Sequence, residues 1–192
     1  MPSNQQTEQE MRVISGRNGL LDSLAIRFGE LLSVDARGAI THIRALLNDI
    51  TQAVTTANLG FGQQFLSFEK GLIQPLAARV EYDLASDGTA TLASGEVGIG
   101  TVVASGAVNT LATATFEDFM EGQAITALAA ATPQTDEIFA GGVRTSPLDG
   151  LATAKDLFLN FAVDGGVGGD VTFSNIVVDL IFNWMPQAPL RG

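Results

Sequence analysis

The chain of 192 residues contains no cysteine, which excludes a disulfide scaffold and a thiolate metal site and leaves the redox compartment open. Histidine occurs once, at His42. Histidine chemistry needs an orienting partner for the ring, and no pattern in the sequence supplies one, so His42 reads as a solvated surface residue. There is one tryptophan and one tyrosine. Both fall in strand-like runs, at Trp184 and Tyr82, which leaves little with which to build an exposed platform for stacking sugars or bases. Long apolar runs are also lacking. The most continuous one, Val97 to Ala114, is broken by Gly98, Gly100, Ser105, Gly106 and Asn109, a poor match to the roughly 20 apolar residues of a membrane-spanning helix. Met1 to Glu10 is polar, without the basic flank and apolar block of a signal peptide.

Basic residues are scarce and unevenly placed. Up to Val80 seven of them balance seven acids, whereas from Glu81 onward only Arg144, Lys155 and Arg191 oppose fourteen acids, so the whole net charge of −11 lies in the second part. An acidic surface repels phosphates, and nucleic acid is not an expected partner.

What is present is mostly strand grammar. Ile176, Val178, Leu180, Phe182 and Trp184 alternate with mixed residues, as do Leu157, Leu159, Phe161 and Val163 upstream. This period of two marks strands in a packed sheet, and the glycine-rich stretch between Asp164 and Asp170 suggests a long hairpin. Ala78, Val80, Tyr82 and Leu84 form a further alternating strand ended by a turn at Ser86-Asp87-Gly88. Thr89–Ala93, Val97–Ala104, Val108–Phe119 and Ile138–Arg144 are shorter β-leaning runs. Seven or eight strands at turn-separated intervals predict a mainly β fold, an antiparallel β-sandwich or jelly roll, preceded by an N-terminal helical segment.

That helical segment is read from spacing. Leu20, Leu21, Leu24, Phe28, Leu31 and Leu32 recur at threes and fours over Gly19–Ser33, and Asp35 can cap a second helix over 36–57. Along the latter, Ile40, Ile43, Leu47, Ile50 and Val54 follow the spacing of a coiled-coil seam, with isoleucine favouring three strands. An ordinary amphipathic helix packed on its own domain gives the same pattern. The expected organisation is a flexible tail (1–18), a helical assembly or attachment segment (19–60), a connecting arm (61–77) closed by Pro75, a β-sandwich domain (78–186) and a C-terminal tail (187–192).

Candidate chemistry is sparse. The paired acids Glu81 with Asp83, and Glu117 with Asp118 and Glu121, could serve a glycosidase only if they faced one another across a cleft; otherwise they are solvated carboxylates. Gly165-Gly-Val-Gly-Gly-Asp170 matches part of a calcium-binding nonapeptide, but a single copy cannot complete a calcium shell, and it lacks the lysine and following helix of a phosphate loop. No catalytic residue, cofactor or metal is expected.

Ile99-Gly-Thr-Val-Val-Ala-Ser-Gly-Ala-Val108, Phe116-Glu-Asp-Phe119, Leu157-Phe-Leu-Asn-Phe161 and the closing run from Val171 to Trp184 together resemble the jelly-roll cement and decoration proteins that coat tailed-phage capsids. The resemblance covers roughly the last half of the chain. It implies a non-enzymatic virion structural protein on the outer surface of a capsid, in contact with the major capsid protein or another virion protein, with no membrane partner. Self-association as a homotrimer would use Ile40, Ile43, Leu47, Ile50 and Val54, and shell contact would use Leu20, Leu24, Phe28, Phe61, Phe65 and Phe68. The alternative is a receptor- or glycan-binding fibre or spike module.

Overall fold

In a computed structural model the chain is mainly β, with two antiparallel sheets and no helix among the described residues. The structure describes residues 25–26, 29–37, 40–87, 89–112, 115–127, 134–141 and 143–186. In chain order the strands are β1 (Ala25–Ile26), β2 (Gly29–Arg37), β3 (Ile40–Leu47), β4 (Ile50–Val54), β5 (Asn58–Ser67), β6 (Gly71–Ser86), β7 (Ser94–Gly100), β8 (Met120–Ala124), β9 (Gln134–Gly141), β10 (Leu148–Asp149), β11 (Asp156–Asp164) and β12 (Gly169–Pro186). The first sheet has the order β1-β5-β11-β7-β8. The second runs β10-β6-β12-β3-β2, with β4 following β3 along β12 and β9 lying beside β6.

The long strand β12 is the spine of the second sheet, with β6 on one edge and β3 then β4 on the other. Val171 and Phe173 point inward, and beyond a bulge at Ser174–Val177 the inward set becomes Ile176, Val178, Leu180, Phe182 and Trp184. The bulge changes the phase of the alternation, which keeps both halves of the strand facing the core. Its Asn175 has φ of 52°, a region asparagine tolerates better than most residues, and its Nδ2 donates to Asp83 Oδ2 at 2.7 Å.

The first sheet answers with Leu157, Leu159, Phe161 and Val163 of β11 beside Val97 and Ile99 of β7, all buried. The two sheets meet where Phe161 and Phe173 lie with ring centroids 4.0 Å apart. Phe61 stacks on Phe161 at 5.3 Å, and Tyr82 sets its edge to Phe173 at 5.1 Å. A second group joins Phe68 edge-on to Phe182 and Trp184. All belong to one continuous apolar core.

Several expectations are corrected. The predicted helix over 36–57 is, across residues 40–54, the two strands β3 and β4. Thr41, Ile43, Ala45 and Leu47 face inward while His42, Arg44 and Leu46 face outward. Apolar side chains on both faces mimic helical spacing, but the β-branched residues suit a strand, and β12 provides the partner. Of the supposed seam, Ile43, Leu47 and Val54 lie in the core and Ile50 packs against it, leaving only Ile40 well exposed, at 47%. The described parts of 19–33 are likewise strand, whereas Leu20, Leu24 and Phe28 lie outside the described residues. The other proposed shell contacts, Phe61, Phe65 and Phe68, are buried in the core.

Pro75 does not end a segment. β6 runs through it, because Pro75 sits where the pairing with β12 shifts register and between the residues that pair with β10 and with β9; at such an irregularity the missing N–H costs no ladder bond. The β structure therefore begins well before residue 78.

The expected hairpin of β11 and β12 is also absent, since the two strands belong to different sheets. The glycine-rich link carries the chain between sheets. It is pinned by backbone bonds from Gly165 to Ala57, from Gly168 to Val54, and from Thr91 to Gly166. A Cβ on Gly165 would lie within 2.6 Å of the Thr91 carbonyl carbon, so this crossing requires glycine.

Leu180 is fully buried at the middle of β12. Leu180→Ala is expected to lower unfolding stability by about 2–5 kcal/mol, read from the urea midpoint at unchanged m-value. A loss below about 1 kcal/mol would contradict a close-packed core at that position.

Candidate functional site

The chain's polar chemistry lies on the two outer faces, and they differ. The outer face of the first sheet is sheathed by described residues 101–112 and 115–119 of the loop that follows β7. Asn160, whose position on β11 points away from the main core, is completely buried beneath it. Its Oδ1 accepts from Ala104 N–H at 2.9 Å, while its Nδ2 donates to the carbonyls of Val102 at 2.9 Å and Phe116 at 2.8 Å. Around this amide, Ala104, Leu111 and Ala162 form a small second core, with Val108 and Phe116 packed against it. The loop comes this close because glycines floor it. A Cβ on Gly100 would lie 2.2 Å from the Thr115 carbonyl oxygen, and one on Gly60 would lie 2.4 Å from Val108 Cγ2.

Carboxylates tie the loop's ends. Asp118 accepts from Thr101 N–H and Thr101 Oγ1, both at 2.7 Å. Glu96 Oε2 accepts from Leu111 N–H at 2.6 Å and Thr110 Oγ1 at 2.9 Å, and Glu117 Oε2 accepts from Gly122 N–H at 2.6 Å. Burial raises the Asp118 carboxyl above the ordinary aspartate value, against the opposing pull of the Thr101 bonds and of Arg144 and Lys155.

Among the described residues the outer face of the second sheet is half-exposed. Asp179 of β12 sits at its centre between Arg44 of β3 and Arg79 of β6 in register. Its Oδ2 is 3.5 Å from Arg79 Nη1 and 3.9 Å from Arg44 Nη1, its Oδ1 is 3.3 Å from His42 Nε2, and Arg79 Nη2 meets Glu81 Oε2 at 2.7 Å. His42 thus has the partner that the sequence reading did not find, because the two residues are 137 positions apart. The result is a charged ladder across three strands.

The candidate acid pairs are all engaged. Glu81 takes Arg79, Asp83 takes Asn175, and Glu117 and Asp118 hold the loop; Glu121 stands exposed. At the Gly165–Gly169 crossing, Thr89 Oγ1 donates to the Val167 carbonyl, Gly166 N–H donates to Thr91 Oγ1, and Asp170 N–H donates to Asp87 Oδ1. The backbone there closes on protein groups. Among the described residues no cluster of three or more histidine or acidic side chains could hold a metal. Asn160 and Asp179 escaped the sequence reading. The signal for each was a polar residue inside an otherwise apolar strand. No protein-family model matches the chain, and neither does any curated protein.

Two outcomes follow from the loop's anchorage. Asn160→Ala strips the partner from three backbone groups, the Ala104 N–H in a buried bond and the Val102 and Phe116 carbonyls in part-buried ones, at about 1–3 kcal/mol for each group left unsatisfied; access of water to the carbonyls brings the expected loss to about 2–5 kcal/mol. Hydrogen exchange of residues 101–119 should quicken while β6 and β12 stay protected. Uniform deprotection of the whole chain would contradict this.

For Asp118, a carboxyl whose folded pKa is raised binds its proton more readily in the folded than in the unfolded chain. Its contribution to stability therefore falls as pH rises from the unfolded aspartate value through the folded one. Asp118→Asn should flatten that part of the stability profile while keeping an oxygen for Thr101 N–H. An unchanged slope would place the proton uptake elsewhere.

Proposed function

We propose that the chain is a non-enzymatic structural protein of a virion, a cement or decoration protein on the outer surface of a capsid, in which the two sheets form a jelly-roll-like β-sandwich. The observation that carries the reading is the unequal treatment of the two outer faces. One is closed by a glycine-floored loop locked onto Asn160, and the other is left half-exposed, with apolar residues around a charged ladder. A body with one finished side and one unfinished side is built to lie against something. Its partners in this reading are the major capsid protein or another virion protein and further copies of itself, with neither nucleic acid nor membrane involved.

The excess of acids beyond Val80 supports the orientation, since it disfavours close approach to phosphate. A glycan-binding spike would need exposed aromatic rings, and Trp184 and Tyr82 are both buried in the core.

The test is composition of the particle. Purified virions should contain this chain in a fixed ratio to the shell subunit, and stripping it should lower the temperature at which shells open. Absence from purified particles, or a ratio unrelated to the shell lattice, would overturn the reading.

A further inference from the structure

We infer that the open outer face of the second sheet, over the rows from Val177 to Met185, is a docking surface for a second copy of this chain. The outward side chains of those rows can be placed from the strand register. Leu46, Val177 and Glu81 share one row, and Arg44, Asp179 and Arg79 the next. His42, Ile181 and Ala77 follow, then Ile40, Asn183 and Gln74, and finally Met185 beside Leu72. In the last rows the amides of Asn183 and Gln74 are part-buried, with Gln74 reaching the carbonyls of Arg144 and Thr145, while apolar side chains beside them stay exposed. Met185 is 52% exposed and Ile40 47%, and Leu76, the extra residue where β6 shifts register against β12, is 40% exposed. These three are among the most exposed large apolar side chains described, and they fall at one end of one face. Single exposed apolar residues need no explanation, whereas a group beside an organised polar cluster marks an interaction surface.

Charge selects the occupant. The chain carries −11, and its fourteen acids beyond Val80 include Glu81 and Asp179 of the ladder, which leaves twelve against Arg144, Lys155 and Arg191. Two copies approaching through such surfaces repel. On the open face Arg44 and Arg79 balance Asp179 and Glu81, and His42 adds a further donor. Here a second copy meets no net charge of its own sign from these side chains. The ladder is also self-complementary: under a rotation relating two copies, the arginines of one can face the carboxylates of the other, as an isologous contact requires. A strongly basic partner would instead be drawn to the acidic surfaces, and a strongly acidic one would find no excess of positive charge on this face.

This assignment rests on the self-associating coat protein proposed above but is tested off the particle, so that the two can fail separately. Full-length protein is examined by sedimentation equilibrium up to about 100 μM, in salt from about 0.05 to 0.5 M. Association is expected, and it should tighten with salt, because screening relieves the general repulsion between acidic bodies while apolar contacts remain. Ile40→Asp with Met185→Asp should weaken it by at least about 100-fold, as loss of apolar anchors buried in a contact does, with thermal unfolding and the far-ultraviolet spectrum unchanged. Ile40→Lys with Met185→Lys should have the same effect, which separates lost apolar contact from added negative charge. Val102→Asp, on the loop over the first sheet, should leave association intact.

A wild-type monomer throughout this range would overturn the inference, as would undiminished association of both double variants. Loss of folding in both double variants would also overturn it, by showing that the chain itself covers these side chains. Particle binding that persists while the wild type is monomeric would remove this interface and leave the coat-protein reading standing.

Discussion

The three hydrogen bonds of Asn160 are the constraint on which much of the first sheet depends. A side-chain amide buried with all three partners satisfied fixes the loop 101–119 in one position, because any shift would strand backbone groups away from water. That loop turns the outer face of β11 into a second apolar layer, and β11 is accordingly buried on both sides from Leu159 to Val163. The glycines at 60 and 100 are part of the same arrangement, since each leaves out a side chain where the loop must pass. One polar residue thus organises the small residues packed around it.

The second sheet solves the opposite problem. Its outer face has no covering loop among the described residues and is kept in register by charges that alternate across the strands, with Asp179 between two arginines. Exposed ion pairs of this kind add little stability. Their effect is on specificity: a slip of one residue would place Arg44 and Arg79 in the core and Ile43 and Val80 in solvent, so the ladder and the aromatic core enforce the same alignment.

Much of the β architecture was legible in the chain. The alternation from Ile176 to Trp184 and from Leu157 to Val163 identified the inward faces of β12 and β11 correctly, because both strands sit deep enough that burial dictates every second residue. The helix over 36–57 failed for a physical reason. β3 carries apolar residues on both faces, Ile43 inward and Ile40 outward, and a two-sided strand cannot be told from a helix by spacing alone. The hairpin failed because neighbours in sequence need not pair: the link from Asp164 to Gly169 is long enough to cross between sheets, and alternation carries no information about the partner strand. Asn160 stood in plain view but could not be interpreted without the loop that closes on it.

The strand order of the second sheet also bears on how the molecule comes together. β3 and β6 never touch as neighbours; each pairs with β12, which follows both in sequence by more than 80 residues. Until residues beyond 169 have been synthesised, the two halves of that sheet present open edges to one another with nothing between them. Contacts of such long span close slowly and leave strand edges available to other chains in the interval. In the finished molecule β12 lies between β3 and β6 and pairs with both, so those two edges are closed.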